Sequence, residues 1–446
     1  MFKVAVVSLG CPKNLVDSEN MLALINQAHI QISSNPADAH VIIINTCGFI
    51  SSAKEESINT ILEMAQYKKE GTCRLLIVVG CLVQKHRKEI EMEIPEIDVL
   101  LGTDSYHRIV EVINHTLEGQ FDNTECLIPV AEHLELPRNL TTPKHYAYLR
   151  IAEGCDNYCT FCSIPQIRGG YRSRTIENIV NEAKQLVSDG VKELILVAQD
   201  TTQYGKDLYG EFMLVELLRE LVKIDELRWI RLLYCYPNHF SEQLIKIIAK
   251  ETKICKYIDL PLQHADDTIL KKMGRRITQE QIRNLLIKIR KEIPQIIIRS
   301  TFIVGFPGET KENFNSLINF LREARLDRVG AFTYSQEEDT PAGKLPDQVN
   351  EKTKLNRLKK LMALQYQILS EKNRAYIGHN LIVQVEGATD ENPNLWICRS
   401  QGEAPEIDPV ILLYSEDRLI PGQLHSVKIT HIQDYDLIGE INSEST

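Results

Sequence analysis

The chain has 446 residues, 43% of them hydrophobic and 25% charged, with a formal net charge of -10. That length exceeds what one hydrophobic core serves, so two or three domains are expected. The composition is that of a soluble globular protein: there is no low-complexity segment, and no apolar stretch approaches the roughly 18 residues of a membrane span. The opening MFKVAVVSLG has neither a basic n-region nor a small-residue cleavage site, so a secretory leader is not expected. Eleven cysteines then read as metal ligands or thiols of a reducing compartment rather than as disulfides. A cytoplasmic enzyme without a membrane partner is the expectation.

Residues 1–118 alternate apolar runs (VAVVSL, HVIIIN, LLIVVG) with helix-like segments (VDSENMLALINQ, SAKEESINTILEMAQ, HRIVEVINHTL). Near-continuous apolar strands joined by helices indicate a parallel sheet covered on both faces. Cys11, Cys47 and Cys81 each fall just beyond one of these strands, on the edge where open parallel sheets bind ligands. Three unrelated half-buried thiols are the alternative. Asp17 and Glu19 stand where a helix start is expected, so capping is at least as good a role for them as catalysis.

Residues 119–142 lose the periodicity and read as a linker. From 143 to 375 six strand candidates alternate with helices: YLRIAEG, ELILVAQ, WIRLLYCY, KYIDLPLQ, IIIRSTFIVG and RVGAFTY. Repeated βα units of this length predict a partial (β/α) barrel of TIM type, with its site at the C-terminal ends of the strands. A long helix from about 350 to 374 leads out of it. Residues 376–442 switch to five short strand-like pieces separated by Gly, Pro and Asn, which predicts a small all-β barrel. The fold class is α/β, closed by this β-module. The module is also where the charge sits. Residues 376–446 hold twelve Asp and Glu against Arg399, Arg418 and Lys428. Such a surface repels phosphate backbones and attracts basic partners, or simply keeps the protein soluble.

The densest chemical signal is EGCDNYCTFCSIP, which places Cys155, Cys159 and Cys162 at CxxxCxxC spacing just after the first strand of the second region. Three thiolates hold three irons of a 4Fe-4S cubane, and Cys235, the next cysteine, is 73 residues away, so a fourth iron is left open. An open iron can chelate S-adenosylmethionine, whose sulfonium is cleaved by electron transfer. A zinc site would want a fourth Cys or His at finger spacing, which the sequence lacks.

CDNYCTFC resembles the radical S-adenosylmethionine signature, including Phe161, which in that superfamily lies near the adenine. Together with IPQIRGGYRSR, SLGCPKNLVDSE, INTCGFI and VVGCLVQ, it makes the whole chain similar to the radical S-adenosylmethionine methylthiotransferases. The resemblance implies an N-terminal methylthiotransferase domain, a radical core and a terminal TRAM-like barrel. It implies two 4Fe-4S clusters, one on Cys11, Cys47 and Cys81 and one on Cys155, Cys159 and Cys162. In that family one S-adenosylmethionine methylates sulfide at the first cluster. A second provides the radical that takes hydrogen from the substrate carbon, which then captures the thiomethyl group. An electron donor is therefore an implied partner.

Two substrate classes compete within the family, an adenosine of transfer RNA and an aspartate of the twelfth small-subunit ribosomal protein. The segments SLGCPKNLVDSE, AQDTTQYG, APEIDP and DYDLIGE resemble the ribosomal-protein branch, with Pro409 a departure where Gly is commoner. The acidic module also fits a basic ribosomal protein, free or within the ribosomal particle, better than RNA. A non-catalytic iron-sulfur carrier is a third reading, disfavoured because carriers generally close their clusters with four protein ligands. Gln199 and Asp200 after the second strand, Arg299 in the fifth, and Gly305, Pro307 and Gly308 in IVGFPGET are further candidates for contact with the cofactor. For IVGFPGET a plain βα turn is the equal alternative. Cys73, Cys126, Cys235, Cys255 and Cys398 lack ligand spacing and read as packed thiols.

Overall fold

The computed structural model describes residues 2–119 and 136–442, so Cys126 and most of the linker lie outside the described residues. The chain forms two compact units. One comprises Met1–Thr141, Ala152–Arg174 and Glu337–Thr340, the other Thr142–Ile151, Thr175–Gln336 and Pro341–Thr446.

The first unit is built on a parallel sheet of five described strands: β1 (Lys3–Ser8), β2 (Gln31–Ile32), β3 (Val41–Thr46), β4 (Leu75–Gly80) and β5 (Val99–Leu101), in the order β2-β1-β3-β4-β5. Every residue of β3 and β4 is buried, because both faces are covered. Val41, Ile43, Ile77 and Val79 face α1 (Pro12–Gln27) and α4 (Ile109–Leu117); Ile42, Ile44, Leu76 and Val78 face α2 (Ser51–Glu70) and α3 (Cys81–Glu93). Three elements go beyond the expected pattern: β2, β5 and the helix α3 that begins at Cys81 itself. The same unit holds the two-residue antiparallel pair Ala152–Glu153 and Arg172–Ser173, which closes the CxxxCxxC loop, and α5 (Ile164–Arg168).

In the second unit β6 (Tyr146–Arg150), β7 (Glu193–Val197), β8 (Trp229–Leu232), β9 (Ile254–Asp259), β10 (Ile297–Val304) and β11 (Arg328–Thr333) lie side by side in chain order, all parallel. These are the six strands expected, and sequential order is what successive βα units produce in a partial barrel. After the helix Glu351–Arg374, five further strands close a barrel: β12 (Asn380–Ala388), β13 (Leu395–Arg399), β14 (Ile411–Tyr414), β15 (Leu424–Gln433) and β16 (Asp436–Ile441). Alternate residues fill it, among them Val383, Val385, Trp396, Cys398, Ile411, Leu413, Val427 and Ile429.

The segment following β13 is bonded to the six-stranded sheet. Arg231 donates to the Gln401 carbonyl at 2.8 Å, Arg328 to Glu403 at 3.0 Å, Tyr146 to Glu406 at 3.1 Å and Tyr257 to Asp408 at 2.6 Å. Arg399 reaches Glu193 at 2.8 Å, and Glu193 also takes Arg231 at 2.7 Å. The acidity of the terminal module is therefore less outward than its composition. Glu386, Glu403, Glu406 and Asp408 are spent on these contacts or on Arg399 and His145, while Asp390, Glu391, Glu416, Asp417, Asp434 and Glu440 are exposed.

Candidate functional site

The first unit carries both cysteine sets. Cys11 is the N-cap of α1 and Cys81 the first residue of α3, so two helix N-termini present their positive ends where two of the thiols sit. Cys47 follows β3 and is held by Ser57, whose hydroxyl accepts from the Cys47 N-H at 3.1 Å and donates to its carbonyl at 2.9 Å. The three strand ends converge because a glycine neighbours each cysteine. A Cβ on Gly10 would lie 2.8 Å from Cys47 Cβ, and one on Gly48 would lie 2.7 Å from the Leu82 Cα. Gly80 has φ +103°, and a Cβ there would meet Asn45 Oδ1 at 2.5 Å and the Thr46 carbonyl at 2.7 Å.

Burial pushes Cys47 up to about 11, with the Cys11 and Cys81 sulfurs adding to the shift, and burial likewise raises Cys81. Burial thus disfavours the free thiolate at both positions, a cost that metal binding offsets. Among the described residues no three His, Cys, Asp or Glu side chains are gathered for a single metal ion. A cubane differs from an ion, since each thiolate binds its own iron corner and the sulfurs stand further apart. Three soft donors around a glycine-lined recess at a sheet edge suit a cluster of that size.

The CxxxCxxC loop is shaped by its own backbone. The Cys155 N-H donates to the Gly169 carbonyl at 3.2 Å, Cys162 N-H to the Cys159 carbonyl at 3.0 Å, and Asp156 Oδ1 accepts from Tyr171 N-H at 3.1 Å. The Ile164 N-H lies 3.5 Å from Cys162 Sγ, the kind of contact that steadies a thiolate. Cys155 is buried, while Cys159, Phe161 and Cys162 are half-buried.

Residues that sequence patterns did not single out tie this unit together. Asn14 donates to the carbonyls of Leu9 and Thr46, at 3.2 and 3.0 Å, bracing the ends of β1 and β3 beside Cys11 and Cys47. Arg168, 3% exposed, reaches Glu153 at 2.9 Å, Asp17 at 3.0 Å, Asn14 Oδ1 at 2.6 Å and Cys81 Sγ at 3.6 Å. The capping role expected of Asp17 and Glu19 does not hold. The helix begins at Pro12, so both lie beyond its first turn, buried. Asp17 receives Arg168, and Glu19 receives Arg138 and the Thr141 N-H. The available signal was the glycine beside every cysteine of the first set, with a polar residue three positions after Cys11.

The second unit places the remaining candidates as follows. Gln199 and Asp200 follow β7; Asp200 caps the turn Thr201–Gln203 and pairs with His239 at 3.1 Å. Arg299, in β10, is held by Asp259 at 2.9 Å and Asp408 at 3.5 Å. The Gly305 N-H, for which ligand contact and a plain βα turn were equal alternatives, donates to Glu309 at 2.6 Å, as does Phe306 N-H at 3.1 Å. Gly305 is glycine because a Cβ would sit 2.3 Å from Lys354 Cγ. Gly308 N-H donates to the Asp347 carbonyl at 2.7 Å. Cys73, Cys235, Cys255 and Cys398 are buried, as packed thiols are.

Three family models match successive stretches of the chain. The Radical SAM superfamily matches residues 149–321, the Uncharacterized protein family UPF0004 residues 3–102 and the TRAM domain residues 377–441. Ribosomal protein uS12 methylthiotransferase RimO of Desulforamulus reducens is 52% identical over 444 residues, covering 99% of this chain and 100% of its own. The proteins of that name from Lachnoclostridium phytofermentans and Clostridioides difficile are 49% and 47% identical, each covering 98–99% of this chain and 99% of their own. Among solved structures, the radical S-adenosylmethionine methyltransferase TsrM from Kitasatospora setae superposes with a TM-score of 0.58 at 15% identity, over 76% of this chain and 77% of its own. At that identity the likeness concerns the fold alone.

Proposed function

The chain belongs to the RimO family of ribosomal protein uS12 methylthiotransferases, and from that membership we propose that it adds a methylthio group to the β-carbon of an aspartate in uS12, using S-adenosylmethionine and 4Fe-4S clusters. Cys11, Cys47 and Cys81 are the ligands of one cluster and Cys155, Cys159 and Cys162 of the other. With three protein ligands each, the bound clusters supply the electron that cleaves S-adenosylmethionine and an iron on which sulfur is held.

The observation that carries this reading is the pair of three-cysteine sets within one compact unit, each with thiols set in a backbone frame that leaves no fourth cysteine beside them in sequence. The polypeptide prepares the first set by convergence of three βα turns, two of the thiols standing at helix N-termini. It prepares the second through the Ile164 N-H at Cys162 and the two-residue strand pair that closes the loop. Phe161, just before Cys162, is the aromatic side chain assigned to the adenine. The exposed acids of the terminal barrel favour a basic protein over a phosphate backbone. A low-potential electron donor completes the set of partners, and uS12 is met free or in the assembled small subunit.

The test sets the substrates side by side. Reconstituted protein with reductant and S-adenosylmethionine is given uS12, its loop peptide, the assembled small subunit or transfer RNA. The expected result is the mass of one thiomethyl group on uS12 and none on transfer RNA. Modification of transfer RNA alone overturns the substrate, and absence of 5'-deoxyadenosine overturns the enzyme. Replacing Cys155, Cys159 and Cys162 by Ala is expected to abolish 5'-deoxyadenosine. Replacing Cys11, Cys47 and Cys81 leaves its formation while removing the methylthio product.

A further inference from the structure

The guanidinium of Arg168 joins the two cysteine-bearing segments. It reaches Cys81 Sγ at 3.6 Å in the first set. Through Glu153, at 2.9 Å, it holds the residue two places ahead of Cys155 in the second. Asp17 at 3.0 Å and Asn14 Oδ1 at 2.6 Å complete its shell, both on the helix that Cys11 caps. Every one of these partners is buried.

A buried guanidinium is expensive to desolvate, and apolar residues of equal volume would hold the same elements together at least as well. What Arg168 adds, and an apolar residue cannot, is a fixed positive charge beside the sulfur, on the Nη2 whose two hydrogens are shared among Asn14, Asp17 and Cys81. Hydrogen bonds to cluster sulfurs, together with local charge, set the potential of an iron-sulfur centre, because the added electron is stabilised by donors facing it.

We propose that Arg168 is a positioning residue that raises the reduction potential of the cluster on Cys11, Cys47 and Cys81 through the Cys81 sulfur, and that its bond to Glu153 keeps that cluster in register with the CxxxCxxC loop. This rests on the assignment of the first three cysteines to a cluster. It makes one buried side chain answerable both for the electronic state of the sulfur-carrying half and for its placement against the radical-generating half. Arg168 touches no reacting atom; it acts through Cys81 and Glu153.

The experiment uses the full-length chain with Cys155, Cys159 and Cys162 replaced by Ala, so that only the first cluster remains. Arg168→Gln and Arg168→Lys are introduced in that background, iron is counted, and the midpoint potential is measured by redox titration followed by EPR. The expected result is a more negative potential in Arg168→Gln and a smaller shift in Arg168→Lys, which keeps the charge but not the fork. Should Arg168→Gln fail to hold iron, Arg168→Lys decides. In parallel, protein with ¹⁵N-labelled arginine but native Arg168 is reduced and its nitrogen hyperfine coupling read, which needs no substitution at that position. Unshifted potentials at full iron content, or no arginine coupling, overturn the proposal. A parent chain without iron overturns the cluster assignment itself, and the proposal with it. In the otherwise native enzyme, Arg168→Gln is expected to raise the 5'-deoxyadenosine formed per methylthio group transferred; an unchanged ratio overturns the register claim.

Discussion

The phenol of Tyr257 donates to the carboxylate of Asp408 at 2.6 Å, joining strand β9 of the six-stranded sheet to the loop of the terminal barrel 151 residues further on. Asp408 also accepts from the Ala404 N-H at 2.9 Å and pairs with Arg299 at 3.5 Å, and Arg299 in turn holds Asp259 at 2.9 Å. The barrel is thus bonded to the inner residues of the sheet rather than tethered to it by the helix Glu351–Arg374 alone.

Tyr257→Phe removes that bond with little change in volume. Leaving the buried Asp408 carboxyl without that donor is expected to cost about 2 kcal/mol. It should appear as a lower urea midpoint, with the iron content unchanged. An unchanged midpoint would mean that the barrel loop contributes nothing to the stability of the sheet.

Gly80→Ala tests the recess around the first cysteine set. The residue has φ +103°, and its new methyl would lie 2.5 Å from Asn45 Oδ1 and 2.7 Å from the Thr46 carbonyl. Strain of this kind costs about 1–3 kcal/mol and moves the start of α3, where Cys81 sits. The variant is expected to retain roughly half the iron of the parent, counting two four-iron clusters. Full retention would show that the close approach of β3 to Gly80 is dispensable.

His264 gives the protein an acid-sensitive point. Its ring is fully buried, and Nδ1 accepts from the Asp266 N-H at 2.9 Å, a bond available only to the neutral ring. Burial lowers its pKa from 6.5 to about 3; Asp266 opposes the shift and Arg357 adds to it, while Glu309 lies 3.9 Å from Nε2. Between those values the unfolded chain binds the extra proton, so stability is full above about pH 6.5 and is lost as the pH falls toward 3. At pH 5 the loss amounts to about 2 kcal/mol. Denaturant midpoints measured from pH 7.5 to 5 are expected to fall less steeply in His264→Asn, which retains an acceptor and does not titrate. Parallel slopes would remove His264 as the cause.

The exposed acids of the barrel supply the last prediction. Reversal of Asp390, Glu391, Glu416 and Asp417 to Lys is expected to weaken binding of uS12 on the order of tenfold at low salt. The difference should shrink as the ionic strength passes 0.1 M, where screening acts over about 10 Å. Equal affinities at low salt would return these charges to a solubility role.

Much of this protein was legible in its residues. The six apolar runs from YLRIAEG to RVGAFTY are the six parallel strands, and the five short pieces after residue 376 are the strands of the closed barrel. A period of two or of near-continuous burial marks strands wherever it occurs, because the pleat repeats regardless of partner. The CxxxCxxC spacing was equally readable, since thiols within eight residues need no knowledge of the rest of the fold.

Polar side chains with distant partners were not readable in this way. Asp17 and Glu19 looked like caps, yet the helix starts earlier and their partners are Arg168 and Arg138. For Gly305 the sequence left a ligand contact and a plain turn as equals, and the partner of its N-H is Glu309. Four acids of the barrel, counted as surface charge, are bonded to the sheet, to His145 or to Arg399. Local sequence determined which elements form and how the thiols of the CxxxCxxC run are spaced, because both depend on short range. Only the tertiary structure decided which charge meets which, because a buried polar group takes whatever partner packing brings within about 3 Å, and that partner can lie 150 residues away.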